Sequence, residues 1–277
     1  MRILKIEIQK IFFKRRSYIG FVAVLAMVLL VFLAMYYEGQ YLLGFLTQNL
    51  ENTFVFHGNL INGNLFAYIV LKSLWVHFPI LVVLVTGDLI SGEEQAGTFR
   101  MVLIRPVSRF TLISAKFIAG LLYVSLLVLF MAVVSIVLGR VAFGNGDLLV
   151  LMQTVNIFPA DDAMWRLVLA FIFGIASMGT VAALSFFLSA VTGNSLTAIL
   201  GTLAIVIVLT FVSAFSIPVL EIVKPFLFTT YMTSWQSFFY FEMDNAQIVF
   251  DLFVLLAHIV GFYLLTVLYF NRKDILS

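Results

Sequence analysis

The chain has 277 residues, 63% of them hydrophobic and 11% charged, with a formal net charge of +2 and a mean hydropathy of +1.12. No soluble domain of this length can hide so much apolar surface, so the composition points to a membrane protein. Cysteine is absent, which excludes a disulfide scaffold and thiolate metal sites.

The N-terminal segment, 1–17, opens with MRILKIEIQKIFFKRR and is short, basic and helical in tendency. Leu4, Ile8 and Ile11 form a stripe, but Ile3, Ile6 and Phe13 spread around the other side. Two readings stay open: a basic topology signal beside anionic headgroups, or a helix that meets a partner.

Six apolar runs follow, at 18–36, 65–87, 112–138, 167–190, 196–217 and 248–270. A bilayer core of about 30 Å needs about 20 apolar residues per helix, so each run predicts a membrane span. The first is too long for a signal-peptide core and no small-x-small site follows it, so it stays as a span. Pro79 should kink the second, and the third is long enough to tilt or to leave the lipid. Fold class is therefore expected to be all-α, with one six-span domain over 1–277.

Three connecting segments should lie on one side of the membrane. The first, 37–64, carries the turn signals Gly58-Asn59 and Asn62-Gly63-Asn64. The second, 139–166, contains Asn145-Gly146-Asp147 and then Asp161 and Asp162, either of which could open the fourth helix. The third, 218–247, holds Pro218, Pro225 and a dense aromatic run. It reads as a re-entrant or interfacial hairpin in which Trp235 and Phe239 form an outer gate, or else as a belt that merely anchors the loop.

The charges gather mainly elsewhere. Asp88, Glu93, Glu94, Arg100, Arg105, Arg109 and Lys116 fall in an island between the second and third spans, which hydrocarbon would not tolerate. Twelve of the sixteen basic residues lie before the first span, in this island or after the last span; Lys72, Arg140, Arg166 and Lys224 are the others. Basic residues collect on the cytoplasmic side, so both termini and the island are expected there.

Within the island, Ser91-Gly92-Glu93-Glu94 has the form of a capping box, with Ser91 as cap and Glu94 reaching back. Ala96, Phe99, Val102 and Leu103 then recur at helical spacing. Pro106 disfavours helical geometry at Arg105, so an amphipathic helix of roughly a dozen residues, about 18 Å, should end there. Ser108 offers the next cap.

The island resembles the ABC-2 family of ABC-transporter permeases, in which G-E-x-x-x-G-T, then P-[VI]-S-R and a Lys, join the second and third spans. Here the matching residues are Gly92, Glu93, Glu94, Gly97, Thr98, then Pro106-Val107-Ser108-Arg109 and Lys116. The close match covers about 25 residues, and the six-span layout extends it loosely over the chain. The resemblance implies that 88–111 is a cytoplasmic coupling segment, with Gly92, Glu93, Glu94, Gly97, Thr98, Arg105, Pro106 and Arg109 docking on an ATPase. It also implies an exporter in a prokaryotic inner membrane, built from two copies or one copy and a paralogue, with ATP and Mg used by a separate ATP-binding subunit. The plainer alternative is a helix resting on lipid phosphates.

Lys72, His77, Asp251 and His258 also fall within the apolar runs. Lys72 can snorkel to the surface or line a pathway, and Asp251 could pair with it. His77 and His258 suggest a polar cavity or a helix-to-helix hydrogen bond, with too few ligands for a metal site. Small residues four apart, such as Ala170 and Gly174 or Gly179 and Ala183, predict close helix packing.

No G-x-x-x-x-G-K-[ST] loop occurs, so the chain should hold no nucleotide or other cofactor and act as no enzyme itself. Ser177 with His258 is a remote match to rhomboid-like proteases, but the serine lacks their G-x-S-G spacing. An ATPase-independent channel or secondary carrier is the stronger rival, although matched broken segments are not evident. Expected partners are the ATPase, a second permease chain and lipid, with no nucleic acid.

Overall fold

The computed structural model describes residues 2–47, 60–97, 108–152, 154–215 and 217–273. A short helix α1 (Arg2–Phe13) leads into α2 (Arg15–Thr47), which outruns the expected end at Tyr36. The second apolar run forms two helices, α3 (Gly63–Leu74) and α4 (Phe78–Thr86), bent by 58°. Pro79 sits in the first turn of α4, where its missing N–H leaves no helical bond unmade. After the small α5 (Ser91–Gln95) come α6 (Arg109–Phe143), α7 (Ala160–Thr192), α8 (Ser195–Ala214), α9 (Pro218–Glu221), α10 (Phe228–Met232) and α11 (Asn245–Arg272).

Five of these helices, within α2 and in α6, α7, α8 and α11, are long and apolar enough to cross a membrane, and the bent α3–α4 pair makes a sixth if it counts as one span. The chain is thus an all-α, multi-pass membrane protein. Polar side chains mark several helix starts. Asn62, Ser108, Asn194 and Asp244 each accept a backbone N–H from the first turn of α3, α6, α8 and α11. Asp161 and Asp162 instead lie inside the first turn of α7, behind Pro159, where they favour the helix dipole.

Helix α7 is the centre of the bundle and packs on α3, α4, α6, α8 and α11. Its small residues explain why neighbours can approach so closely. A Cβ on Gly174 would stand 3.1 Å from the Trp75 ring, and one on Gly179 would stand 3.2 Å from Ile259. In lipid such close packing replaces the hydrophobic effect as the force that joins helices.

One feature was not expected. The 139–166 connection contains an antiparallel hairpin, β1 (Leu148–Leu151) and β2 (Val155–Phe158), with Leu148 opposite Phe158 and Leu151 opposite Val155. It lies at the start of α3, where Asn62 and Asn64 donate to the carbonyls of Asp147 and Gly146 at 2.7 and 2.8 Å. Residues 228–239 fold back between α7, α8 and α11. The Met232 carbonyl accepts from Ser177, halfway along α7, and the Phe226 carbonyl lies 3.3 Å from His258 Nε2 in the middle of α11.

Trp235 and Phe239 are therefore core residues, 1% and 0% exposed, against Trp75 and Tyr68. This departs from an interfacial belt, in which both rings would face the membrane surface.

Candidate functional site

The end of the bundle that carries α1 and the close of α11 holds a cluster of charges around the stretch 88–97. The N–H groups of Ile90 and Ser91 turn aside to the Ser189 hydroxyl. Turn-type bonding nevertheless carries the chain from α4 through 87–90 into α5, with Ile90 in helical conformation. Ser91 is consequently inside a helical stretch and not at its cap. Its hydroxyl donates to the Gly87 carbonyl at 2.8 Å, four residues back, and its N–H donates to Ser189 at 3.0 Å. The residue at the cap position is Ile90, which has no side-chain bond to give. The capping box is thus not formed, and Glu94 points elsewhere.

Glu93 is one corner of a four-charge cluster. Its Oε1 lies 2.7 Å from Lys116 Nζ and 2.9 Å from Lys10 Nζ, and both ammonium groups also reach Glu7 at 2.8 Å. Lys116 is 1% exposed and Glu7 4%. Burial by itself would raise the Glu93 carboxyl, but the Lys116 and Lys10 ammonium groups outweigh it and hold Glu93 below its ordinary value. For Lys10, burial works downward, and the bonds to Glu7 and Glu93 overcome it and push the ammonium up. Both groups are charged at neutral pH. The cluster clamps α1 to α5 and to the start of α6.

Asp88 forms a second centre. Its carboxylate takes Lys14 at 2.8 Å, Arg16 at 3.3 Å and the Ser195 hydroxyl at 2.6 Å. A Cβ on Gly92 would collide with that carboxylate, so glycine there lets Asp88 fold back over the helix. Ser195 opens α8, which ties the turn between α7 and α8 to α5.

Glu94 reaches the other end of the chain. It pairs with Lys273 at 2.8 Å and packs over Gly193, whose φ of +60° makes the left-handed turn after α7. Arg109 donates to the carbonyls of Phe270 and Lys273 at 3.3 and 2.9 Å, closing the C-terminus of α11. Here Arg109 is an intramolecular clasp.

Gly97 has a φ of +66°, and no described residue would stand within 4 Å of a Cβ there. It ends the α5 segment and is not in a helix interior, contrary to the dozen-residue helix expected over 91–105. Thr98, Arg105 and Pro106, and with them Phe99, Val102 and Leu103, lie outside the described residues. The site also has members that motif reading passed over: Glu7, Lys10, Lys14, Arg16, Ser189, Ser195 and Lys273. One signal was available for Glu7, the sole acid in an otherwise basic N-terminal segment.

The polar residues of the spans are dispersed. Lys72 is exposed with its Nζ 6.0 Å from the Tyr68 ring centre, while Asp251 is buried and accepts from Gln247 at 2.6 Å. No ion pair joins the two among the described residues. His77 Nδ1 faces the Ser73 carbonyl within its own chain turn, and His258 Nδ1 faces Val254. Ser177 donates to carbonyl groups and not to histidine, and no group of three or more metal-binding side chains occurs among the described residues.

These features describe a polytopic helical membrane protein with an ion-paired junction at one end. A family model described as "Protein of unknown function (DUF2705)" matches residues 20–276, and the chain belongs to that family. It is also 26% identical over 207 residues to "Uncharacterized protein YhcI" of Bacillus subtilis (strain 168). The match covers 71% of this chain and 64% of the relative, so the chain spans less than two thirds of that protein's length.

Proposed function

We propose that this protein is the membrane-spanning permease subunit of an ABC-2-type exporter. The observation that carries the reading is the anchoring of the stretch 88–97. Three of its acidic side chains are each held by cations from a different part of the chain: Asp88 by the start of α2, Glu93 by α1 and α6, and Glu94 by Lys273. A segment gripped in this way moves as one body with α1, α4, α6 and α11. A partner that binds it differently in two nucleotide states would therefore shift the spans themselves. The residue order that resembles the ABC-2 pattern lies in this same segment.

On this reading a separate ATPase dimer with ATP and Mg docks on 88–111, and two permease copies, or one with a paralogue, enclose the pathway. The broad apolar faces that α2, α8 and α11 leave exposed suit a second chain as well as lipid. The cations of α1 and α2 at the junction support a prokaryotic inner membrane with both termini cytoplasmic, and the bacterial relative is in keeping with this.

One feature favours the rival channel or carrier: the bent α3–α4 pair, with Lys72 exposed just before the break and His77 exposed within it. Copurification with the ATPase encoded nearest this gene separates the two. An exporter subunit retains the ATPase and stimulates its hydrolysis severalfold, and Glu94→Ala diminishes that stimulation. A chain that transports in proteoliposomes without any ATPase belongs to the rival class.

A further inference from the structure

Beside the Asp88 centre, the start of α2, the α4–α5 stretch and the start of α8 enclose a groove of about 970 Å³. Lys14, Arg15 and Arg16 form one rim, facing the single carboxylate of Asp88. Lys14 and Arg16 each give Asp88 one contact, although an ammonium has three donors and a guanidinium five. Arg15 is exposed and makes no ion pair among the described residues. Leu84, Leu196 and Ile199 give the groove an apolar side, beside the polar Gln95, Asn194 and Ser195, and Leu196 is 65% exposed. Cations at the mouth and hydrocarbon below sit where the basic segment meets the first apolar span.

From this arrangement we propose that the groove binds the phosphate headgroup of an anionic glycerophospholipid, whose acyl chain lies along Leu196 and Ile199. Charge complementarity selects the phosphate. The apolar side, together with the position of the groove at the foot of the spans, selects a lipid over a free ion. Neutral zwitterionic lipid leaves the excess positive charge unmatched. The site does not depend on an ATPase, so it stands or falls apart from the function proposed above.

Native mass spectrometry of the detergent-solubilised full chain tests it, with phosphatidylglycerol, phosphatidylcholine and inorganic phosphate as separate probes. Phosphatidylglycerol should be retained at higher collision energy than phosphatidylcholine, as a single copy per chain. Arg15→Gln should weaken that retention about fivefold, in line with the loss of one basic residue at a lipid surface. Leu196→Gln should weaken it too. Both side chains are exposed, so these variants remain folded. Equal retention of the two lipids, or undiminished phosphatidylglycerol binding in both variants, overturns the proposal. Inorganic phosphate that displaces the lipid at equal concentration shows a plain anion site and overturns it as well.

Discussion

The Lys116 ammonium lies 2.7 Å from the Glu93 carboxylate and 2.8 Å from that of Glu7, with only 1% of the lysine exposed. A lysine so deeply placed is tolerated because two carboxylates meet it. Removing one partner of a buried pair costs about 3–5 kcal/mol, since the opposite charge is left uncompensated. Lys116→Ala should therefore lower the thermal stability of the solubilised protein by several degrees. Lys10→Ala, at a side chain that is 38% exposed, should cost about 1 kcal/mol or less. Equal losses for the two variants would contradict the burial asymmetry.

The same cluster sets a pH dependence. Glu93 is held below its ordinary value, so its stabilising contribution is complete above the unfolded pKa, about 4.3, and is lost as pH falls through the folded value. Lys10 is raised, so its contribution is complete below about 10.4 and is lost as pH rises beyond it. Thermal unfolding should be nearly flat between about pH 5 and 10 and should fall on both sides. Glu93→Gln should flatten the acid limb; an unchanged acid limb places the loss in other carboxylates.

Local pattern was enough to read five long apolar helices, because about 20 apolar residues have few other uses. It read the second run as one span, where the chain forms a bent pair. It was enough also for the cap Ser108, a polar side chain at the start of an apolar run. It misled at Ser91. The S-x-x-E pattern is present, but α4 is already feeding helical backbone into it, and a serine inside a helix turns its hydroxyl to the carbonyl four residues back. The hairpin at 148–158 was missed because LLVL is too short and too uniformly apolar to reveal a strand period. The ion cluster was illegible for a different reason: Glu7 and Lys116 are 109 residues apart, and no periodicity links residues across such a distance.

Sidedness is open to direct measurement. Cysteine introduced at Gln95 should share its accessibility with one at Lys273, since Glu94 and Lys273 are ion-paired. One at Gly146, beside the hairpin, should be labelled from the other side. Labelling of Gln95 and Gly146 from the same side would contradict a membrane between them.

Gly97 separates backbone geometry from docking. Its φ of +66° costs a residue with a Cβ about 1–2 kcal/mol, and asparagine tolerates that region better than most. Since no described residue lies within 4 Å of the position, a larger side chain meets no clash with the described residues. Gly97→Asn should keep both membrane levels and ATPase stimulation if the turn alone matters. Gly97→Leu should reach the membrane and lose stimulation. If Leu and Asn both leave it intact, the coupling role assigned to this turn is wrong.

The last prediction concerns Trp235, which two readings treat differently. As part of the core, its ring fills space among Trp75, Tyr68 and Phe239, and truncation leaves a cavity that the rigid helices around it cannot close. Trp235→Ala should then cost about 3–5 kcal/mol, with Trp235→Phe recovering most of it. As a gate, the ring would matter to the pathway more than to the fold. Trp235→Ala would then insert and unfold like the parent protein but leak in a liposome flux assay. The 218–239 segment is bonded at Met232 and Phe226 to the middles of α7 and α11, so a gating movement would have to break those contacts as well. Phe239, fully buried beside it, should follow Trp235 in either assay. A destabilised, non-leaking Trp235→Ala protein identifies the segment as a fixed wedge that sets the spacing of α7, α8 and α11.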